Sequence, residues 1–455
     1  MFPLTLDRLP SVFRNAEAPR SLGVTRGTQV GGAAIDSRAV RPGDLFFALP
    51  GARTDGHDYV ADAFHRGAVA AVVAQETDAG PAIVVPDPAA ALAQLGAWNR
   101  DQCAGPVVAV GGSHGKTTCR DLLHAALSGL GPGVRSRANF NNALGVPLTL
   151  CEIAPEHRSA VIEVGASSPG EIATLCEWAK PTAGVLTGVG TAHVGTFGGP
   201  AALRAAKAEL FAGVAPDGVL VVNRDDPGAR ALAQTAERPI VVAGTTADCD
   251  VRVEPLPAPP GFLRFGRNGT TFSLQGFAPH FVSLGACAVA VGEALGLSNE
   301  AIRNGLTRFR PPPGRGAVTV VGGATFIDDT YNAPPEGFFA AVDLLASWPV
   351  VPPGRRWLVC GGMRELGEEA DRLYAKLGRR IATAGLDRVL FVGATGARTA
   401  DAAGLSEAVG IRVRDASAAA AVLSEEIRPG DVALAKGCRA DGLERVIAAG
   451  IAAFS

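Results

Sequence analysis

The sequence predicts an α/β protein of three domains: a central, mostly parallel sheet with a phosphate-binding loop (P-loop) and helices on both faces, a smaller N-terminal α/β domain, and a Rossmann-like C-terminal α/β domain. Three observations carry this. The run VVAVGGSHGKTT at 107–118 joins small apolar residues suited to an interior parallel strand to a glycine-rich turn, a lysine and two hydroxyls. Between 159 and 223, apolar runs alternate with helical patterns, the grammar of a parallel sheet covered on both faces. A further alternation of the same kind begins beyond the proline-rich run RFRPPPGRG at 308–316.

At 455 residues the chain is long enough for two to four domains. We place three, at 1–102, 103–312 and 313–455. A formal charge of −2 argues against a general nucleic-acid binder, which is usually basic. The eight cysteines, at 103, 119, 151, 176, 249, 287, 360 and 438, form no CxxC pair and no metal-like cluster. Such scattered thiols read as reduced core residues. The N-terminus MFPLTLDRLP has no apolar signal region, and no stretch approaches the roughly 18 apolar residues of a membrane span. A cytoplasmic monomer is expected.

In the first hundred residues, a strand is expected from Asp44 to Ala48 after a Pro-Gly turn, then a helix near 58–67 and a buried strand at 68–74. Asp36, Ser37 and Arg38 either bind an anion or a pyrimidine ring, or form a turn that Asp36 caps. The polar DQCAGP at 101–106 marks a boundary. In the loop that follows, Gly112, Ser113 and Gly115 allow backbone N–H groups to approach phosphate oxygens. Lys116 reaches the outer phosphates of a nucleotide, and Thr117, next to Thr118, can ligand Mg²⁺ through its hydroxyl. Val110 stands where the strict motif has its first glycine, so the other reading is a βα turn with a solvated lysine. Leu122, Leu123, Ala126, Leu127 and Leu130 then recur at helical spacing.

The middle region reads as strand 159–165, helix 171–179, strand 183–189, helix 201–212 and strand 218–223. A hairpin with an Asn-Gly turn is expected near 261–275, then helices at 281–296 and 299–308. The 308–316 run reads as a linker stiffened by three prolines. Beyond it come strands at 324–328, 357–360, 388–392 and 431–435, with helices at 336–347, 368–384, 416–427 and 441–449.

Chemistry is expected at the carboxyl edges of these strands, where open α/β sheets bind ligands. Glu163 ends an apolar run there, as a Mg²⁺ ligand or as a cap or surface charge. His193 follows the next strand and shares that edge, or is a turn residue. Lys207 lies in an alanine-rich helix, either solvated or, near a metal, carboxylated by CO₂ into an oxygen ligand. One of Asp328 and Asp329 accepts hydrogen bonds from a ribose, or they cap a helix start. Arg315 reaches towards a phosphate or is a solvated linker charge.

In order along nearly the whole chain, several blocks resemble the Mur ligase family, the ATP-dependent amide-forming enzymes of peptidoglycan synthesis. They are DSRAVRPGDLFFALPGARTDGHD, the GKTT loop, NFNNALGVPLTL at 139–150, EVGASSPGEIATL at 163–175, AHVGTFG, AAKAEL, IDDTYNAPP, GGMRELGE at 361–368 and AKGCR at 435–439. The resemblance implies an N-terminal domain for a UDP-sugar peptide, a central ATPase domain and a closing C-terminal domain. By this likeness Lys116 and Thr117 hold phosphates and a first Mg²⁺ with Glu163, while His193 and a carbamylated Lys207 serve a second. Arg315 goes to nucleotide phosphate and Asp329, with Asn332 beside it, to the nucleotide ribose. Ser37 and Arg38 match the uridine-diphosphate region, and Asn141 and Asn142 the loop near substrate.

The implied reaction is attack of a carboxylate on the γ-phosphorus of ATP, giving an acyl phosphate that an amine displaces. The NFNN-GVPLTL and DDxYNA blocks favour UDP-N-acetylmuramoyl-tripeptide and D-alanyl-D-alanine as the pair joined, a step of cell-wall biogenesis, cell shape and division. Several positions depart from the family's usual pattern: Gly111 and His114 in the loop, Leu284 for an asparagine, Gly362 for an acid, Tyr374 for a histidine and Pro334 for an asparagine. A divergent relative that binds without ligating, or a ligase for another amine, therefore stays open beside the ligase reading.

Overall fold

A computed structural model of the chain describes residues 1–13, 20–51, 54–190, 197, 199–364 and 366–454. Two compact units emerge. The first takes in Met1–Arg252 and Ser283–Gly305, the second Val253–Val282 and Leu306–Ser455.

The first unit holds two sheets. The N-terminal sheet orders its strands Arg20–Leu22, Ala82–Val84, Ala70–Val73, Asp44–Phe47 and Gly32–Ala34. Only the Arg20–Leu22 pairing is antiparallel. Leu45, Phe47, Val72 and Ile83 pack on Leu92 and Leu95 of the helix Pro88–Asp101. Asp87 starts that helix by accepting from the N–H groups of Ala89 and Ala90, with Pro88 in the first turn.

The second sheet has seven strands, all pairings parallel, in the order Val251–Arg252, Val241–Gly244, Val219–Asn223, Ala183–Leu186, Val107–Gly111, Ser159–Glu163 and Gly133–Arg135. The three central strands, Ala183–Leu186, Val107–Gly111 and Ser159–Glu163, are buried at every residue, as expected where both faces are covered. Strand order reverses around Val107–Gly111, so its carboxyl end opens at a topological switch point.

The second unit has a three-stranded antiparallel sheet and a six-stranded one. In the first, Asn268 (φ 48°) and Gly269 (φ 75°) turn the hairpin between Phe262–Arg267 and Thr270–Gln275. Both left-handed residues suit the tight turn that matches strand twist, and Phe265 stacks on its cross-strand partner Phe272 at 5.1 Å. The larger sheet runs Ala317–Val321, Ala324–Asp329, Val432–Lys436, Arg356–Cys360, Arg388–Val392 and Gly410–Val413, parallel except for the first pair.

Two sequence expectations change. The 308–316 run is packed into the second unit rather than standing free as a linker. Phe309 is buried edge-to-face on Phe281, and Gly316 N–H donates to the Asp328 carbonyl. A helix also runs through Gly393–Ala403, where none was expected. Gly396 lets it sit close: a Cβ there would lie 2.8 Å from the Phe391 carbonyl carbon. Among the described residues, no helix is long and apolar enough to cross a membrane.

Candidate active site

The phosphate loop leaves Gly111 and enters the helix Lys116–Ala126. Gly115 starts the helix at φ 76°, and Gly112 sits at φ 144°, where a Cβ would fall 2.2 Å from Thr187 Oγ1. Both positions therefore need glycine. The loop is pinned to the neighbouring strand exit: Ser113 N–H donates to Gly188 O (2.8 Å), and Thr187 Oγ1 donates to Gly111 O (3.1 Å). Lys116 folds back over the turn, its Nζ donating to Gly112 O (2.9 Å) and Ser113 O (3.4 Å). Ser113 Oγ is buried without a hydrogen-bond partner among the described residues, an orphan that a phosphate oxygen would satisfy. Thr117 and Thr118 are buried beside it.

Glu163 pairs in register with Val110, which places its carboxylate next to the loop. It is 2% exposed and accepts from Asn141 Nδ2 (2.8 Å) and Arg120 Nη1 (3.4 Å). Arg120 is itself fixed by Asp121 Oδ1 (2.7 Å) and Ala138 O (2.8 Å), and Arg135 also donates to Asp121.

Lys207 lies in the helix Pro200–Gly213, 4% exposed, its Nζ 5.2 Å from the Phe197 ring centroid. Burial, then the positive charge of Lys116, brings its pKa from 10.5 to about 8. Lys207 is thus within electrostatic reach of Lys116. A lysine at about 8 keeps roughly a tenth of its amine neutral at pH 7, the form that CO₂ can carboxylate. His193 lies outside the described residues.

The unusual His114 is part of this edge. Its ring packs on Gly188 and Gly190, and Nε2 lies 3.2 Å from Asp226 Oδ2. Asp226 also accepts from Val189 N–H (3.0 Å) and Ala229 N–H (2.7 Å), the latter capping the helix Pro227–Ala233. Burial would raise the Asp226 carboxyl, but His114 and these two backbone donors outweigh it and hold the pKa below its ordinary value. Leu284 is buried, its methyl carbons 3.4 and 3.5 Å from where a Gly115 Cβ would stand, an apolar contact on the loop.

Elsewhere in the first unit, Asp36 caps the short turn Ser37–Ala39 and takes the Arg38 guanidinium at 2.9 and 2.7 Å. Ser37 is buried, and its side chain helps hold the Asp62 carboxyl below its ordinary pKa. Asn142 Oδ1 accepts from Leu144 and Gly145 N–H and so shapes the start of the helix Gly145–Cys151, while Asn141 is turned onto Glu163.

In the second unit, Asp329 Oδ2 accepts from Lys436 Nζ at 2.5 Å, and Lys436 also reaches Asn332 O (3.2 Å). Asp328 is consumed by Gly314 N–H and Thr330 Oγ1. Asn332 Oδ1 accepts from Ala333 N–H, and Arg315 stacks over Tyr331 at 4.1 Å. At Gly362, Asp441 supplies a carboxylate to the backbone N–H (2.7 Å), and Tyr374 OH binds Met363 N–H and O.

The structure thus brings Lys116, Thr117 and Glu163 to one sheet edge, with Lys207 within electrostatic reach of Lys116, and Arg315, Asp329 and Asn332 to another. Sequence reasoning missed Arg120, although it lies four residues after Lys116 on the same helix, one turn further on. Asp226 carried no signal, since its link to His114 joins the ends of strands two places apart in the sheet and far apart in the chain.

Three family models match this chain: Mur ligase family, catalytic domain, over residues 29–97, Mur ligase middle domain over 110–254, and Mur ligase, glutamate ligase domain, over 314–439. The UDP-N-acetylmuramoyl-tripeptide–D-alanyl-D-alanine ligase of Mycobacterium tuberculosis (strain ATCC 25618 / H37Rv) is 34% identical, covering 98% of this chain and 97% of its own length. The enzyme of that name from Escherichia coli (strain K12) is 32% identical over 90% of each. A crystal structure of MurF from Acinetobacter baumannii superposes with a TM-score of 0.88 at 31% identity, covering 99% of both chains. MurF ligase from Thermotoga maritima in complex with ADP gives a TM-score of 0.78 at 28% identity, over 93% of this chain and 97% of that one. Motif order, sheet topology, loop geometry and full-length similarity agree, and the chain belongs to the Mur ligase family.

Proposed function

We propose that this chain is an ATP-dependent ligase that joins UDP-N-acetylmuramoyl-tripeptide to D-alanyl-D-alanine through an acyl phosphate, in the cytoplasmic stage of peptidoglycan synthesis. What supports this is that Lys116 follows, and Glu163 ends, neighbouring strands at the switch point of the parallel sheet, with Lys207 within electrostatic reach of Lys116.

A carboxylate attacks an anionic triphosphate only when charge at the γ-phosphate is offset. Lys116 supplies one ammonium by moving from its loop carbonyls to the outer phosphates, and the N–H groups at the start of the Lys116–Ala126 helix supply partial positive charge. Thr117 and Glu163 would offer the hard oxygen donors that suit Mg²⁺, Lys207 as a carbamate would offer another, and His193 a ring nitrogen. Bound there, Mg²⁺ supplies further screening of phosphate charge. Asn141 and Arg120 hold the Glu163 carboxylate in one orientation. We assign Arg315 to nucleotide phosphate, Asp329 and Asn332 to ribose, Ser37 and Arg38 to uridine diphosphate, and the 139–150 loop with Asn142 to the sugar peptide. The domains 1–102, 103–312 and 313–455 would carry sugar-peptide binding, ATP chemistry and closure in turn.

The test is phosphate release from ATP in the presence of Mg²⁺. Release that depends on both UDP-N-acetylmuramoyl-tripeptide and D-alanyl-D-alanine is expected. Binding without turnover would identify a non-ligating relative, and turnover only with a different amine would identify another acceptor.

A further inference from the structure

Tyr331 follows the strand Ala324–Asp329, and Arg439 opens the turn Arg439–Asp441 after the strand Val432–Lys436. These strands are parallel neighbours with Asp329 opposite Lys436, so both residues stand at the ligand-binding edge of the second unit's sheet. Two guanidinium groups stack on the one tyrosine: Arg315 lies 4.1 Å from the ring centroid and Arg439 5.6 Å. They are therefore no more than about 10 Å apart, about one Debye length at 0.1 M salt.

Neither guanidinium has a carboxylate partner among the described residues. The acids around them are already committed. Asp329 takes Lys436, Asp328 takes Gly314 N–H and Thr330, and Asp441 takes Gly362 N–H (2.7 Å) and Cys438 N–H (3.1 Å). The last pair also fixes the turn that presents Arg439, whose side chain is exposed. A guanidinium stacked on a ring keeps its in-plane N–H edge free, and that edge matches a carboxylate in a bidentate pair.

On the ligase reading above, Arg315 serves the nucleotide. That reading leaves Arg439 unassigned and one anionic reactant unplaced, the dipeptide, whose amine must stay unencumbered to attack. Its recognition has to come from its opposite end, which is an anion. We propose that Arg439, held on Tyr331, binds the C-terminal carboxylate of the incoming dipeptide and selects acceptors that carry a free acid there.

The test uses the full chain, with steady-state kinetics on D-alanyl-D-alanine and on its C-terminal amide. Wild type should favour the acid by roughly 10- to 100-fold in kcat/KM, the usual worth of a charge-assisted pair. In Arg439→Gln, KM for the acid should rise by that factor, the amide should be unaffected, and the preference should vanish with KM for ATP unchanged. Arg439→Lys should fall between. A variant that keeps the acid preference overturns the proposal, as does a rise in KM for ATP in place of the dipeptide. A wild-type chain that turns over neither acceptor would instead overturn the ligase reading.

Discussion

Lys207→Met tests the burial argument apart from catalysis. In the folded chain, burial and the Lys116 charge bring the Lys207 pKa from 10.5 to about 8. That drop corresponds to about 3 kcal/mol by which the folded state disfavours the ammonium. Below pH 8 the lysine is protonated in folded and unfolded chains alike, and the native state bears the full cost. Between 8 and 10.5 the native chain releases its proton first, so stability from this group rises with pH. Above 10.5 both forms are neutral and the cost is gone. Methionine has a similar length and no charge, so the variant should be more stable than wild type by up to about 3 kcal/mol at pH 7. At pH 10 the gain should shrink below about 1 kcal/mol. Urea denaturation at both pH values, in CO₂-free buffer without nucleotide, measures this. A variant less stable than wild type at pH 7, or a gain of equal size at both, refutes the reasoning. The same variant should lose phosphate release.

Three further outcomes are expected. Lys116→Ala should lower ATP-dependent phosphate release by at least about 100-fold with the fold intact by circular dichroism, because outer-phosphate charge is left uncompensated; near-normal turnover removes the loop assignment. Asp226→Ala should cost about 2 kcal/mol in urea, since it removes a helix cap and strands the Val189 N–H. Combined with His114→Ala it should cost less than the two single losses together, and strict additivity would deny the His114–Asp226 link. Gly112→Ala drives a Cβ onto Thr187 Oγ1 at a left-handed φ, so melting temperature and ATP affinity should both fall, and a titration leaving both unchanged contradicts the loop geometry.

What could be read from the sequence was whatever is local. The run from Val107 into Lys116 declares strand, turn and helix within a dozen residues, and the Asn268-Gly269 turn carries its own φ preference. The buried parallel strands appear as plain apolar runs because both faces are covered. The helix Gly393–Ala403 did not show, since two glycines and two threonines depress helix propensity and only tight packing on Phe391 explains Gly396. The proline run at 308–316 looked like a spacer because the burial of Phe309 is a tertiary fact. At the site, the residue types of Lys116, Glu163 and Lys207 were visible, but what holds them was not. Arg120 and Asn141 reach Glu163 from 43 and 22 positions away, and a pattern of spacings has no way to express that.

The posture of Lys116 has a consequence for ligand choice. Its ammonium already holds two neutral carbonyl oxygens of its own turn, so an arriving ligand must outbid them. Adenosine brings no anion to that place, and a single phosphate that stops short of it leaves the ammonium where it is. A longer phosphate chain offers charged oxygens, which bind an ammonium more strongly than peptide carbonyls do. The turn thereby becomes a counter of phosphates, answering to the reach of negative charge rather than to the shape of the base.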